Sequence, residues 1–146
     1  MLIQVDVEKE LVSRGRSFRL KASFSSEEQL VVLFGPSGSG KTLTLQSVAG
    51  LVTPDAGRIA LNGRVLFDLK AGIDIPSRDR GIGYLFQDYA LFPHLSVLKN
   101  IEFGLKKSRL WRLSRQDRCR VEAFLEVFEI SHLKESFPLD LSGGQK

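Results

Sequence analysis

Eight consecutive residues carry the first recognisable chemistry of this chain: Gly35, Pro36, Ser37, Gly38, Ser39, Gly40, Lys41 and Thr42. They satisfy the spacing G-x-x-x-x-G-K-[ST] in full. Glycines let the backbone wrap closely, so that successive N–H groups turn inward towards an anion. A helix opening at Lys41 would add the positive end of its dipole. Lys41 then supplies a point charge for the β- and γ-phosphates, and the Thr42 hydroxyl is spaced to ligate Mg²⁺. Thr44 is counted with this set as a cofactor-binding residue. The pattern predicts Mg-ATP held by its phosphates, with Lys41 in a catalytic role.

Further along the chain, Gln87 is a neutral amide closing the apolar run Gly81–Phe86. Ser142, Gly143, Gly144 and Gln145 offer a hydroxyl and bare backbone amides, a second turn able to meet an anion. Tyr89, Leu91, Phe92 and Pro93 form an apolar cluster just after Gln87, readable as core or as an exposed docking surface.

These residues need elements to hold them. Ile3, Val5 and Val7 alternate with polar residues, as do Phe18, Leu20, Ala22 and Phe24, which predicts two half-buried antiparallel strands. The apolar run Leu30–Phe34 leads straight into the glycine loop and reads as a strand buried on both faces of a mainly parallel sheet. A helix should follow from Lys41, with Leu45, Val48 and Ala49 inward and Gly50 beyond its end. Arg58–Leu61 and Val65–Phe67 flank Asn62-Gly63, a strong hairpin signal. Residues 68–80 look like polar loop, and Gly81–Phe86 like another buried strand. From Ser96 the texture is helical; Ser114 with Asp117 three residues on resembles a capping box, and Val121, Phe124, Leu125 and Phe128 make one apolar face.

Three segments together resemble the ATP-binding-cassette (ABC) ATPases. Leu141-Ser142-Gly143-Gly144-Gln145 spells that family's LSGGQ signature, and Gly83-Tyr84-Leu85-Phe86-Gln87 is similar to its Q-loop. The stretch from Asp88 to Val97 is similar to the same region of importer ATPases, and the motifs come in family order. The resemblance implies an α/β P-loop NTPase fold with an antiparallel β layer and a helical subdomain. It implies that residues 1–95 form the nucleotide-binding core and residues 96–146 the helical part, incomplete at the C-terminus. It also implies roles. Gln87 would touch Mg²⁺, orient the attacking water and sense the transporter. Ser142, Gly143, Gly144 and Gln145 would close on a nucleotide held by a second ATPase subunit in a head-to-tail dimer. Transmembrane permease subunits would be the other partners, placing the chain on the cytoplasmic face of the membrane, with membrane contact only through the permease.

Within the family, the hairpin Asn62–Asp68, the insertion Gly72-Ile73-Asp74-Ile75-Pro76 and the strand Arg80–Tyr84 look most like molybdate importer ATPases, with sulfate, iron and sugar importers as near alternatives. Two departures stand out. The family stacks adenine on an aromatic residue between the first two strands, and here only Phe18 is a candidate. The family's Mg²⁺-side aspartate, catalytic glutamate and switch histidine follow the signature. A chain ending at Lys146 is therefore expected to bind nucleotide without hydrolysing it.

Composition sets bounds on this reading. The 146 residues carry 42% hydrophobic and 26% charged residues, an ordinary globular balance with a net charge of only +4. The basic residues Lys106, Lys107, Arg109, Arg112, Arg115, Arg118 and Arg120 are interleaved with acids nearby, so a solvated helical face is expected and no nucleic-acid partner. A single cysteine, Cys119, rules out an intrachain disulfide. No apolar run reaches the ~18 residues of a membrane-spanning helix, and the acidic N-terminus shows no signal-peptide pattern. A soluble protein is expected.

Overall fold

The computed structural model describes residues 2–13, 15–105 and 113–146. It divides into two compact units, Met1–Tyr84 and Leu85–Lys146. The sequence division was drawn at 95/96; in the structure Gln87 and the apolar cluster belong with the helical residues.

The first unit is built on one antiparallel sheet. β1 (Ile3–Ser13) and β2 (Arg16–Ser26) pair along their full length, from Ile3 opposite Ser26 to Ser13 opposite Arg16. β3 (Ala56–Leu61) takes the other edge of β1, followed by β4 (Arg64–Asp68) and the short β5 (Ile73–Asp74), in the order β2-β1-β3-β4-β5. Asn62 and Gly63 both have positive φ, 49° and 79°, as a tight hairpin of this twist requires. Val5, Val7, Ile59, Leu66 and Phe67 form the core cluster, with Ala22, Phe24 and Val48 packed against it; alternation selects Val5 and Val7, whereas the adjacent Leu66 and Phe67 are both buried where the β3–β4 register shifts. Each such burial contributes roughly 1.5–3 kcal/mol.

The helix expected after the glycine loop is α1, Lys41–Ala49, with Gly50 in the left-handed conformation at its end. Its buried residues are Leu43, Thr44, Ser47 and Ala49, whereas Leu45 faces out. The inward face is thus partly polar, and Ser47 satisfies its hydroxyl on the Leu43 carbonyl at 2.8 Å.

The parallel sheet expected around the loop is not formed by these residues. Segments 30–34 and 81–86 lie outside any ladder, and Val32 and Phe34 are 75% and 99% exposed. A strand buried on both faces needs hydrogen-bonded neighbours and covering layers, and none pairs with either segment among the described residues. The polar stretch 68–80 is more ordered than loop: it contains β5 and a single helical turn, α2 (Ser77–Arg80).

The second unit holds α3 (Val97–Phe103) and α4 (Arg115–Val127). Half of the expected box at the start of α4 is present: Ser114 Oγ accepts from the Asp117 N–H at 3.0 Å, while the Asp117 carboxylate takes the Ser114 hydroxyl at 2.7 Å in place of the Ser114 backbone N–H. Ser114→Ala should cost about 1 kcal/mol, read as a lower midpoint in urea denaturation; an unchanged midpoint would refute the cap's contribution. Only Val121 and Leu125 of the expected apolar face are buried. Phe124 and Phe128 are exposed and stack on each other at 5.5 Å. Arg115, Arg118 and Arg120 are on this helix or its exposed face, while Lys106, Lys107, Arg109 and Arg112 lie outside the described residues.

Candidate nucleotide site

The loop joins the extended residues 30–34 to α1. Gly38 and Gly40 have φ of 80° and 90°, the left-handed region that turns successive amides to one side. Gly40 is also the N-cap of α1. The first amides of any helix have no intrahelical acceptor, so those of Lys41 and Thr42 add to the positive end of the helix. Close packing fixes the position: a Cβ on Gly40 would stand 2.5 Å from Leu20 Cδ1 and 3.3 Å from the Phe18 ring. The start of the helix is therefore seated directly on β2.

Lys41 folds back over the loop. Its ammonium donates to the carbonyls of Gly35 at 2.9 Å and Pro36 at 2.7 Å, and reaches Ser39 Oγ at 3.5 Å. The Ser39 N–H closes the turn on the Pro36 carbonyl at 3.3 Å. Thr42 is exposed in the first helical turn, with Ser37 and Gly38 also exposed. Thr44 is placed differently: it is buried, and its hydroxyl donates to the Gly40 carbonyl at 3.0 Å, so it braces the loop from behind. An open trough of about 540 Å³ runs from Phe24 and Val32 to Lys41 and Thr44.

The remaining predicted site residues lie in the second unit. Gln87 is exposed, and Tyr89 and Ala90, close behind it, both have positive φ, 62° and 49°. Non-glycine residues in that region carry strain and often mark functional segments. Phe92 packs on Phe103 with ring centroids 4.4 Å apart and meets His94 edge-on at 6.0 Å. In the signature, Ser142, Gly143 and Gly144 are exposed, and the Gln145 side chain turns back on Ser142.

Two residues that hold these segments leave no periodic trace in the sequence. Arg80, with 1% of its side chain exposed, donates from Nη1 to the Ser47 and Val48 carbonyls at 2.7 and 2.9 Å. Its Nε donates to Ile75 O at 2.7 Å and its Nη2 to Asp74 at 3.0 Å. Burial pulls the guanidinium below its ordinary pKa, opposed by Asp74; it caps the negative end of α1, where a cation is favoured. Asn100 does the same service for 92–96. Its Nδ2 donates to the carbonyls of Phe92, Leu95 and Ser96, and its Oδ1 accepts from the Phe92 N–H. An arginine after a proline-led turn and an asparagine within a helix are the only hints in the sequence.

The chain is similar to known proteins. The ABC transporter family profile matches residues 20–146. The molybdenum import ATP-binding protein ModC of Paramagnetospirillum magneticum is 44% identical over 94% of the chain, which spans 37% of that relative's length. The molybdate/tungstate import ATP-binding protein WtpC of Archaeoglobus fulgidus is 42% identical over 100% of the chain, which spans 55% of it. A sulfate/thiosulfate import ATP-binding protein, CysA of Synechococcus elongatus, is 47% identical over 80% of the chain and is covered over 32% of its own length. Among solved structures, the ATP-binding cassette MJ0796, in a dimeric post-hydrolysis state bound to ADP and Pi, superposes with a TM-score of 0.71 at 26% identity, over 99% of this chain and 65% of that one. With the complete glycine loop seated on β2, the Q-loop glutamine and the LSGGQ turn, the chain belongs to the ABC transporter ATP-binding family.

Proposed function

We propose that the chain is the ATP-binding subunit, or part of it, of an importer for an oxyanion, with molybdate or tungstate as the solute. The similarity to molybdenum and tungstate import ATP-binding proteins over nearly the whole chain carries this reading. A sulfate importer is the second reading, favoured by the sulfate/thiosulfate relative.

In this reading Gly35 to Lys41 hold the phosphates. Among the described residues no cluster of three His, Cys, Asp or Glu is able to hold a metal alone. The family motifs assign Thr42 and Gln87 to Mg²⁺, an ion that takes hard oxygen donors such as a hydroxyl or an amide carbonyl. Bound Mg²⁺ would offset phosphate charge as it builds. No aromatic stands at the family's usual stacking place, and Phe18, whose ring lies against Gly40, is a candidate for the base that also fits a packing role. Ser142, Gly143 and Gly144 meet the nucleotide of a second ATPase subunit, and Tyr89 to Pro93 meet a transmembrane permease from the cytoplasmic face. Membrane contact would run through that permease; no helix among the described residues is long and apolar enough to cross a membrane.

The family motifs matched in these 146 residues assign phosphate-binding roles and no general base, so the 146 residues by themselves are expected to bind Mg-ATP without releasing phosphate. Calorimetry and a phosphate-release assay on one sample check both halves; steady turnover would refute the second. For the solute, the full-length protein should restore uptake of labelled molybdate, and not of sulfate, in a bacterium lacking its own importer ATPase. Restored sulfate uptake alone would replace the first reading by the second.

A further inference from the structure

The signature turn closes on itself. The Ser142 N–H donates to Gln145 Oε1 at 2.9 Å, and the Gln145 N–H donates to the Ser142 carbonyl at 3.0 Å. Leu141, just before it, is buried and anchors the entry. The spacing S-x-x-Q is that of a capping box, in which the residue three positions on reaches back to the N–H of the first. That reach uses the only acceptor atom of the Gln145 amide. Gly143 and Gly144 have open space where a side chain would stand, so the turn owes its shape to this reciprocal pair and not to packing around the glycines.

We infer that Gln145 is a positioning residue and not a nucleotide ligand: its carbonyl oxygen holds the Ser142 amide, leaving the Ser142 hydroxyl and the Gly143 and Gly144 amides to face the phosphate of the partner's nucleotide. The inference rests on the composite-site reading given above for its functional half. The bond from the Ser142 N–H is independent of that reading. A ligand at position 145 would offer its amide N–H₂ to the anion, whereas a cap needs only an acceptor of the same length. Glutamate supplies the acceptor and repels phosphate; methionine matches the length and supplies neither strong donor nor strong acceptor.

Two measurements on the full-length protein decide it, comparing wild type, Gln145→Glu and Gln145→Met. The first is amide hydrogen exchange at Ser142 by NMR without nucleotide. Gln145→Met is expected to exchange about tenfold faster than wild type, and Gln145→Glu to stay within about threefold of it. The second is self-association driven by Mg-ATP, followed by sedimentation. The expected order of affinity is wild type, then Gln145→Glu, then Gln145→Met. Gln145→Met associating as well as wild type would overturn the proposal, because the phosphate would then be held without any acceptor for the Ser142 amide. Equal Ser142 exchange in wild type and Gln145→Met would overturn it from the other side. If wild type itself does not associate with Mg-ATP, the composite-site reading fails, while the exchange comparison still decides whether Gln145 holds the turn.

Discussion

Arg80→Ala is expected to lower the unfolding free energy by about 3 kcal/mol, a loss as large as that of truncating a buried core side chain. The reason is the number and kind of bonds that end on one guanidinium. Three backbone carbonyls, from Ser47, Val48 and Ile75, and the Asp74 carboxylate all take their hydrogen bond from it. Each bond to a charged donor contributes roughly 1.5–3 kcal/mol when measured alone. They are not additive, and Asp74 is half-exposed and regains water, so the total falls well below the sum. Removing the side chain also opens a space beside Gly50 and leaves the last turn of α1 without its cation. Arg80→Lys should recover less than half of the loss, because a single ammonium cannot span four acceptors set around a planar fork. Urea denaturation of the three proteins checks this; equal stability of wild type and Arg80→Lys would refute the fork argument. Gly50 provides a cross-check. A Cβ there would stand 2.5 Å from Arg80 Nε at a backbone φ of 75°. Gly50→Ala should therefore cost several kcal/mol in wild type but only about 1 kcal/mol, the left-handed penalty, once Arg80 is Ala.

The parts of this chain that were legible in sequence are those whose physics is local. Val5 and Val7 alternate with polar neighbours, and the period alone places them on the core side of β1. Asn62-Gly63 specifies its hairpin through the φ values those two residues tolerate. The glycine loop is readable because each of Gly35, Gly38, Gly40, Lys41 and Thr42 has a separate reason for its type and spacing. Where the outcome depends on distant partners, the pattern failed. The apolar runs at 30–34 and 81–86 look like buried strands because their composition is that of buried strands, yet a run of Leu and Val carries no information about what lies alongside it. Phe124 and Phe128 fall on the helical period with Val121 and Leu125, but burial stops at the edge of what α4 packs against. Leu45 was assigned inward for its apolarity, while Ser47 took the inward position because its hydroxyl has the Leu43 carbonyl to satisfy it. Arg80 and Asn100 illustrate the same limit from the polar side. Each is a hub for backbone groups brought together only by the folded chain, and neither sits in a motif. At the site, the phosphate loop was visible residue by residue, whereas the bracing role of Thr44 and the box between Ser142 and Gln145 required geometry.

Mg-ATP binding should fall by about 10- to 100-fold in Gly40→Ala and by less, about tenfold, in Gly38→Ala. Both glycines have left-handed φ, 80° at Gly38 and 90° at Gly40, so an alanine at either one strains the backbone by about 1–3 kcal/mol. That strain is relieved only if the loop amides rotate away from the phosphate. The two positions differ in what surrounds them. A Cβ on Gly38 meets nothing within 4 Å, and strain is its whole cost. A Cβ on Gly40 meets Leu20 Cδ1 at 2.5 Å, and Leu20 is itself buried on β2, so either the leucine or the start of α1 must shift. Because Gly40 is the N-cap, a shift there moves the Lys41 and Thr42 amides and the direction of the helix dipole together. Calorimetry with Mg-ATP on the two variants separates strain from displacement. Shortening the nearer obstacle provides the control: adding Leu20→Ala to Gly40→Ala removes the 2.5 Å contact, leaves the Phe18 ring at 3.3 Å, and should bring affinity back towards the level of Gly38→Ala. The same double variant should remain less stable than wild type, since Leu20→Ala alone gives up about 2–4 kcal/mol of core burial. Affinity that rises while stability falls would show that the loop's seat on β2, and not overall stability, sets how tightly the phosphates are held; Gly38→Ala proving the more damaging single change would refute it.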